Sequence, residues 1–266
     1  MRFLAPLAAV ALAAAPLPPL TAQTAAAHVA LGDSAYAALK PDAALQHYQA
    51  ALALDSTSYD ALWKAARAQV DVAKQIQGTT DDEKNRRDSL YTVAHHYAEG
   101  AVRANPNGAE GHYTVALALG RLSRTKGSKE RVRYAKVIFD EATRAVELDP
   151  GHDGAHHVLG AWHAEVKRLS AIQRFFARTL FGGGFMSLAN WDDAVRHLER
   201  AVALNPSHIY HRLELAEVYE DLGRYSQARA QLTAIPALPI ADVLDAQYKQ
   251  EAAEFLEDIK DEKDKA

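Results

Sequence analysis

The sequence predicts an all-α protein, a solenoid of five helical hairpins with a C-terminal capping helix. Three observations predict it. A helix-ending segment recurs four times: Ala51-Leu52-Ala53-Leu54-Asp55, Ala101-Val102-Arg103-Ala104-Asn105-Pro106, Ala145-Val146-Glu147-Leu148-Asp149-Pro150 and Ala201-Val202-Ala203-Leu204-Asn205-Pro206. Upstream, a large apolar residue followed by a small one recurs too, at Leu31-Gly32, Val115-Ala116, Leu159-Gly160 and Leu215-Ala216. No segment reads as a strand. Self-similarity at this spacing is the mark of a repeat architecture, in which one hairpin cannot bury its apolar face and several must stack.

The elements follow in order. Residues 1–22 read as a cleaved, bacterial-type signal peptide: Arg2 is a minimal positive start, Phe3 to Leu20 is uncharged, and Ala22 offers a small residue for cleavage. The competing reading is a retained membrane anchor, which Pro6, Pro16, Pro18 and Pro19 disfavour. The expectation is an exported protein, periplasmic or secreted. Residues 23–259 then form a single repeat domain with units of about 25–58, 59–108, 109–152, 153–208 and 209–242. Each unit ends where Asp or Asn, usually followed by Pro, stops an amphipathic helix. Val243 to Ile259 is the capping helix, with Asp242 as its N-cap and Leu244, Tyr248, Ala252, Phe255 and Ile259 on one stripe. Residues 260–266 are a charged, frayed tail.

The fifth unit identifies the repeat. Leu215, Ala216, Tyr219, Gly223, Tyr225, Ala228 and Leu232 resemble the signature of the tetratricopeptide repeat, a helix–turn–helix of about 34 residues. The first unit matches at Leu31, Gly32, Ala44, Tyr48 and Ala51, with Ala35 where Tyr is usual. The resemblance implies a right-handed solenoid whose first helices line a concave groove. It also selects the groove-facing residues: Trp63, Arg67, Tyr113, Leu117, Arg121, His157, Ala161, Glu165, Tyr210, Leu213 and Glu217. This groove is aromatic and cationic in its middle and acidic at its C-terminal end; aromatic and Arg side chains serve well as recognition anchors. Trp63 and Tyr113 read equally well as packing between hairpins. The carboxylate clamp of some tetratricopeptide domains is missing, because Val29 and Asp33 stand where it needs Lys and Asn.

The three middle units carry insertions between their helices. The first, Gly78 to Arg87, is charged and reads as a solvated turn plus a lengthened helix. The second, Ser123 to Arg133, holds Arg124, Lys126, Lys129, Arg131 and Arg133 against Glu130 alone. It reads as a solvated loop, with phosphate or anionic-lipid contact as the alternative. The third, within 167–189, is apolar: Leu169 to Phe181, then Gly182-Gly183-Gly184-Phe185-Met186. It reads as a helix that ends at the glycines and covers its own repeat. The alternative is an interfacial or ligand-covering helix, with Phe175, Phe176 and Phe181 facing inward beside Trp162 and with Arg174 and Arg178 at the polar edge.

His156 to Val166, Leu169-Ser170, Leu180-Phe181-Gly182-Gly183 and Trp191-Asp192-Asp193-Ala194 together resemble the regulator of microtubule dynamics family. The likeness covers about Ala101 to Ile259. It implies a tetratricopeptide-like domain with an interhelical insertion, found in microtubule-associated or organelle-contact proteins, at least one of which has a lipid-binding repeat domain. An exported chain meets no microtubules, so the domain and its apolar cavity carry over and the microtubule role does not. The family has no catalytic motif to transfer.

Composition narrows the function. The 266 residues include 30 Lys and Arg against 34 Asp and Glu, a formal charge of −4, and no cysteine. Thiol nucleophiles, cysteine-held metals and disulfide scaffolds are therefore excluded, and the acidic balance gives no reason to expect nucleic acid. Twelve histidines include His156, His157 and His163 near Glu165. Their spacing does not place two ligands at i and i+4, so no metal is expected and buried, hydrogen-bonded imidazoles are. No nucleophile elbow, phosphate loop or dinucleotide fingerprint is present. Asp192-Asp193 after Asn190 serves a helix N-terminus. The expectation is a non-enzymatic scaffold or adaptor, without cofactor, that binds a protein or peptide segment in its groove. The alternative is a carrier or sensor of an apolar ligand such as a phospholipid, held by the 167–189 insertion.

Overall fold

The computed structural model describes residues 24–265. The proposed signal peptide, residues 1–22, lies outside them. Twelve α-helices follow one another: α1 Ala25–Ala37, α2 Pro41–Leu54, α3 Tyr59–Lys74, α4 Asp81–Ala104, α5 Ala109–Ser123, α6 Ser128–Leu148, α7 Asp153–Arg168, α8 Ala171–Phe181, α9 Trp191–Leu204, α10 Ile209–Asp221, α11 Tyr225–Ala234 and α12 Asp245–Asp258. Short 3-10 turns fill Gly183–Leu188 and Ile235–Ala237. Among the described residues there is no strand. Antiparallel pairs α1/α2, α3/α4, α5/α6, α7/α9 and α10/α11 stack in sequence, and α3, α5 and α7 also touch one another directly. This is the helical-hairpin solenoid expected from the repeats.

One device builds the four turns between hairpins. Asp55, Asn105, Asp149 and Asn205 each cap a helix C-terminus in extended or near-extended backbone. Their carbonyls accept from the N–H of Ser58, Gly108, His152 and His208, at 3.1–3.2 Å. Their side chains close the same turn two residues on, at Thr57, Asn107, Gly151 and Ser207. An Asx side chain can mimic a backbone turn in this way, which explains why Asp or Asn recurs at this position.

Alanine sets the spacing of the layers. Ala44, Ala65, Ala94, Ala98, Ala142, Ala194, Ala216 and Ala228 are fully buried, with Tyr48, Leu198, Ile209, Leu215 and Leu232 between them. The core is a central body around Val70, Leu119, Leu159 and Trp162, flanked by smaller clusters at either end.

The C-terminal end differs from expectation in two places. The capping helix begins at Asp245 rather than Val243. Asp245 accepts from the N–H of Ala241 and Asp242 at 2.7 Å each. Asp242 caps only a turn, accepting from Leu244 N–H at 3.0 Å, and turns its carboxylate to Lys74 of α3 at 2.8 Å. The tail is tied down rather than frayed. Asp264 accepts from Ser226, Lys265 N–H donates to Gly223 O, and Arg229 holds the carbonyls of Ile259 and Glu262.

Candidate functional site

The wall formed by α1, α3, α5, α7 and α10 carries the groove residues. In its N-terminal half the Arg67 guanidinium lies 4.2 Å from the Tyr36 ring and 4.9 Å from the Trp63 ring. The Tyr36 hydroxyl donates to Asp71, and burial beside that carboxylate pushes the phenol pKa far up. Tyr113 lies against His152, the ring centroids 4.5 Å apart and the planes tilted by 51°. In the C-terminal half Arg121 sits 5.4 Å from the Tyr210 ring, and Tyr210 lies 4.7 Å from Tyr248 of α12. The groove is therefore bridged rather than open along its length. Lys74 pairs with both Asp71 and Asp242 at 2.8 Å, and Gln77 bonds Gln247.

The acidic end gathers four carboxylates around one arginine. Arg168 reaches Glu165 and Asp221 at 2.8 Å and Glu214 and Glu217 at 3.6 Å. Burial and the neighbouring Glu214 still push the Glu217 carboxyl up to about 7.

The histidines form two chains across the α7 interfaces. Asp153 accepts from His211 Nε2–H at 3.1 Å, which in a neutral ring leaves Nδ1 to accept from His157 Nδ1–H, also at 3.1 Å. Likewise Pro150 O accepts from His156 Nε2–H, and His156 Nδ1 accepts from His197 Nδ1–H at 2.9 Å. Burial lowers the pKa of His156, His157 and His163, and brings His197 and His208 down to about 4. Among the described residues no three His, Asp or Glu side chains converge as a metal site.

The insertion after α7 builds the rest of the site. Ser170 and Gln173 form a capping box that starts α8, and Gly182 ends it in the left-handed conformation at φ +71°, which glycine adopts without strain. The backbone then folds back so that Met186 is buried against α8. Between α5, α6, α7 and α8 this leaves a half-open cavity of about 520 Å³, within the roughly 300–1,000 Å³ of small-molecule sites. Its apolar walls include Val132, Ile138, Trp162, Val166, Phe181 and Met186. Trp162 is anchored by Nε1–H donation to Ala135 O at 2.8 Å.

The cavity gathers residues that the sequence places in two separate sets. Leu117, Arg121, His157, Ala161, Glu165 and Tyr210 reach it from the groove set, and Trp162, Phe176 and Phe181 from the insertion set. Trp63, Arg67, Tyr113, Leu213, Glu217 and Phe175 lie outside it. Of the insertion aromatics, Trp162 is buried and Phe181 half-buried, both lining the cavity, and Phe176 lines it while remaining largely exposed. Phe175 is 60% exposed and Phe176 49%. α8 is seated through Ala177 and Phe181, roughly 100–160° around the helix from them, and the Arg174 guanidinium donates to the carbonyls of Lys167 and Leu169.

Arg124 and Arg131 are among the cavity residues that sequence reasoning did not select. They fall in the stretch read as a solvated loop, with phosphate or anionic-lipid contact as the alternative, but α6 begins at Ser128 and both, exposed, line the cavity together with the half-buried Arg121. Among the described residues no carboxylate lies within salt-bridge distance of any of the three. The two carboxylates that do line the cavity, Glu165 and Glu214, belong to the Arg168 cluster. The lining thus joins apolar walls to three arginines, of which Arg124 and Arg131 are exposed.

Fold and insertion together are those of a known family. The family described as Regulator of microtubule dynamics protein 1-3 matches residues 29–260. The chain belongs to it. It is 29% identical over 208 residues to regulator of microtubule dynamics protein 1 of Bos taurus, covering 78% of this chain and 64% of that one. Against regulator of microtubule dynamics protein 3 of Rattus norvegicus the identity is 26% over 197 residues, covering 74% and 40%. The chain thus spans under two thirds of the length of these family members. A crystal structure of a thermophilic TPR protein from Thermus thermophilus superposes with a TM-score of 0.61 at 23% identity, covering 87% of this chain and 98% of that one. This places the regulator of microtubule dynamics domain of this chain in the tetratricopeptide fold.

Proposed function

We propose that this chain is a non-catalytic repeat protein that carries or senses an amphiphile with an acyl chain and an anionic headgroup. The observation that carries the reading is the cavity under α8, with apolar walls and, in its lining, three arginines without carboxylate partners. Burying an acyl chain there gains about 0.8 kcal/mol per methylene, and guanidinium forks suit a phosphate or carboxylate. Native mass spectrometry of the chain purified from a lipid-containing host tests it. The expected result is a stoichiometric adduct of lipid mass, depleted in Arg124→Glu/Arg131→Glu and in Phe176→Asp. A bare protein mass for the unaltered chain would refute the reading.

A second reading, peptide capture by the N-terminal half of the groove, has its own support. Arg67 Nε is buried without a hydrogen-bond partner, beside a half-buried Trp63. A peptide carbonyl or carboxylate would satisfy it. Crosslinking through Trp63 that persists in Arg67→Ala would count against this. For residues 1–22 we propose export with cleavage near Ala22, checked by N-terminal sequencing of the protein recovered from a bacterial periplasm. We assign no microtubule role.

A further inference from the structure

We propose that the outer face of α8 docks on an anionic lipid bilayer. Ile172, Phe175, Phe176 and Leu180 are 68%, 60%, 49% and 66% exposed. At 100° per residue they occupy one continuous arc of the helix, and Thr179 falls inside that arc. An apolar stripe of this size on an otherwise charged protein marks an interaction surface. The charges around it decide the occupant. From Leu169 to Asn190 there is no Asp or Glu, while the exposed Arg178 and the half-buried Arg174 border one edge of the stripe. On its other side α8 packs against α6, whose first turns bring the exposed Lys129, Arg131 and Arg133 against a single carboxylate, Glu130, which pairs with Arg133 at 4.0 Å. Apolar side chains flanked by cations form the pattern of a helix lying in the interface of an anionic membrane. Continuity adds to this: Phe176 and Leu180 belong both to the stripe and to the cavity lining. A bilayer against this face would sit at the cavity mouth.

The absence of cysteine makes a local test simple. In the full chain, Thr179→Cys carries an environment-sensitive fluorophore on the stripe, and Gln46→Cys carries it on exposed α2. Each is mixed with vesicles of phosphatidylcholine alone, or of phosphatidylcholine with a minority of phosphatidylglycerol. The expected result is a blue shift at position 179 with the phosphatidylglycerol vesicles. It should be absent at position 46, and half-saturation should need at least tenfold more lipid in Ile172→Asp/Phe175→Asp. Those two residues are outside the cavity, so the variant keeps its helicity and its ligand adduct, and docking can fail or succeed independently of the carrier reading. No shift at position 179, an equal shift at position 46, or a shift untouched by the double variant would overturn the proposal. A shift that grows with protein concentration without vesicles would assign the face to a second copy of the chain, and would overturn it too.

Discussion

Two glycines in corresponding surroundings should respond oppositely to the same change. Gly120 and Gly160 both sit within helices that line the inner wall, α5 and α7. A Cβ on Gly160 would lie 2.6 Å from Leu198 Cγ and 3.0 Å from Ala194 O, both on α9. Leu198 is fully buried and cannot swing aside. A Cβ on Gly120 would meet nothing within 4 Å, because that position borders the cavity. Replacing a mid-helix glycine by alanine gains roughly 0.5–1 kcal/mol of backbone entropy and helix propensity. Gly120→Ala should realise all of that gain. In Gly160→Ala the helices must separate or repack, at a cost of about 1–3 kcal/mol for an overpacked core. The net is a loss of about 1 kcal/mol, and the two variants should differ by about 2 kcal/mol. Equilibrium denaturation in guanidinium chloride, with helicity followed by circular dichroism, reads this directly. If Gly160→Ala proved as stable as the parent chain, the α7–α9 distance would not be set by the missing side chain, and the reasoning would fail.

Three further outcomes follow from contacts described above. His197 and His208 have folded-state pKa values near 4 against an ordinary 6.5. The unfolded chain therefore binds more protons between those values, and stability falls as pH drops from about 6.5 to 4 by up to about 3 kcal/mol per residue. Melting curves across that window should show the fall, and it should shrink in His197→Gln. Lys74→Met strands two carboxylates, Asp71 and Asp242, and should cost about 3–5 kcal/mol. Hydrogen exchange should speed first in residues 241–258, whereas unchanged protection there would mean that Lys74 does not hold the cap. Trp162→Ala removes a nearly buried ring and leaves Ala135 O without its donor, so a loss of about 3–5 kcal/mol is expected in thermal or denaturant unfolding. A loss below about 1 kcal/mol would mean that the cavity wall rests on other residues.

The fold was legible because its signals are local. Asp55, Asn105, Asp149 and Asn205 each close a turn within three residues, and the pairs ending in Gly32, Ala116, Gly160 and Ala216 mark where helices come close. Neither signal depends on distant parts of the chain. The site was harder to read because it depends on rotation and distance. Phe175 and Phe181 look alike in sequence, but six positions at 100° each put them on different sides of α8. Arg131 reads as loop because the basic stretch has no apolar periodicity until Val132. The partner of Asp242 is 168 residues away, and an Asp just before a helix is more simply read as its cap. The tail deceived for the same reason: Asp264 finds Ser226, and charge composition alone reports only solubility.

The Lys74–Asp242 pair changes what kind of object the array is. A solenoid is ordinarily a linear string of nearest-neighbour interfaces, and either terminus can peel away without consequence for the other. A contact between the second hairpin and the segment before the last helix turns that string into a ring. Its curvature can no longer relax like that of a spring, because opening the coil means breaking a desolvated ion pair. Loss of the final helix should then loosen the second hairpin as well as its own neighbours, so that the molecule unfolds more nearly as one unit than its repeats alone would dictate. The long span of that closure should also slow folding, since much of the chain must be in place before the two ends meet.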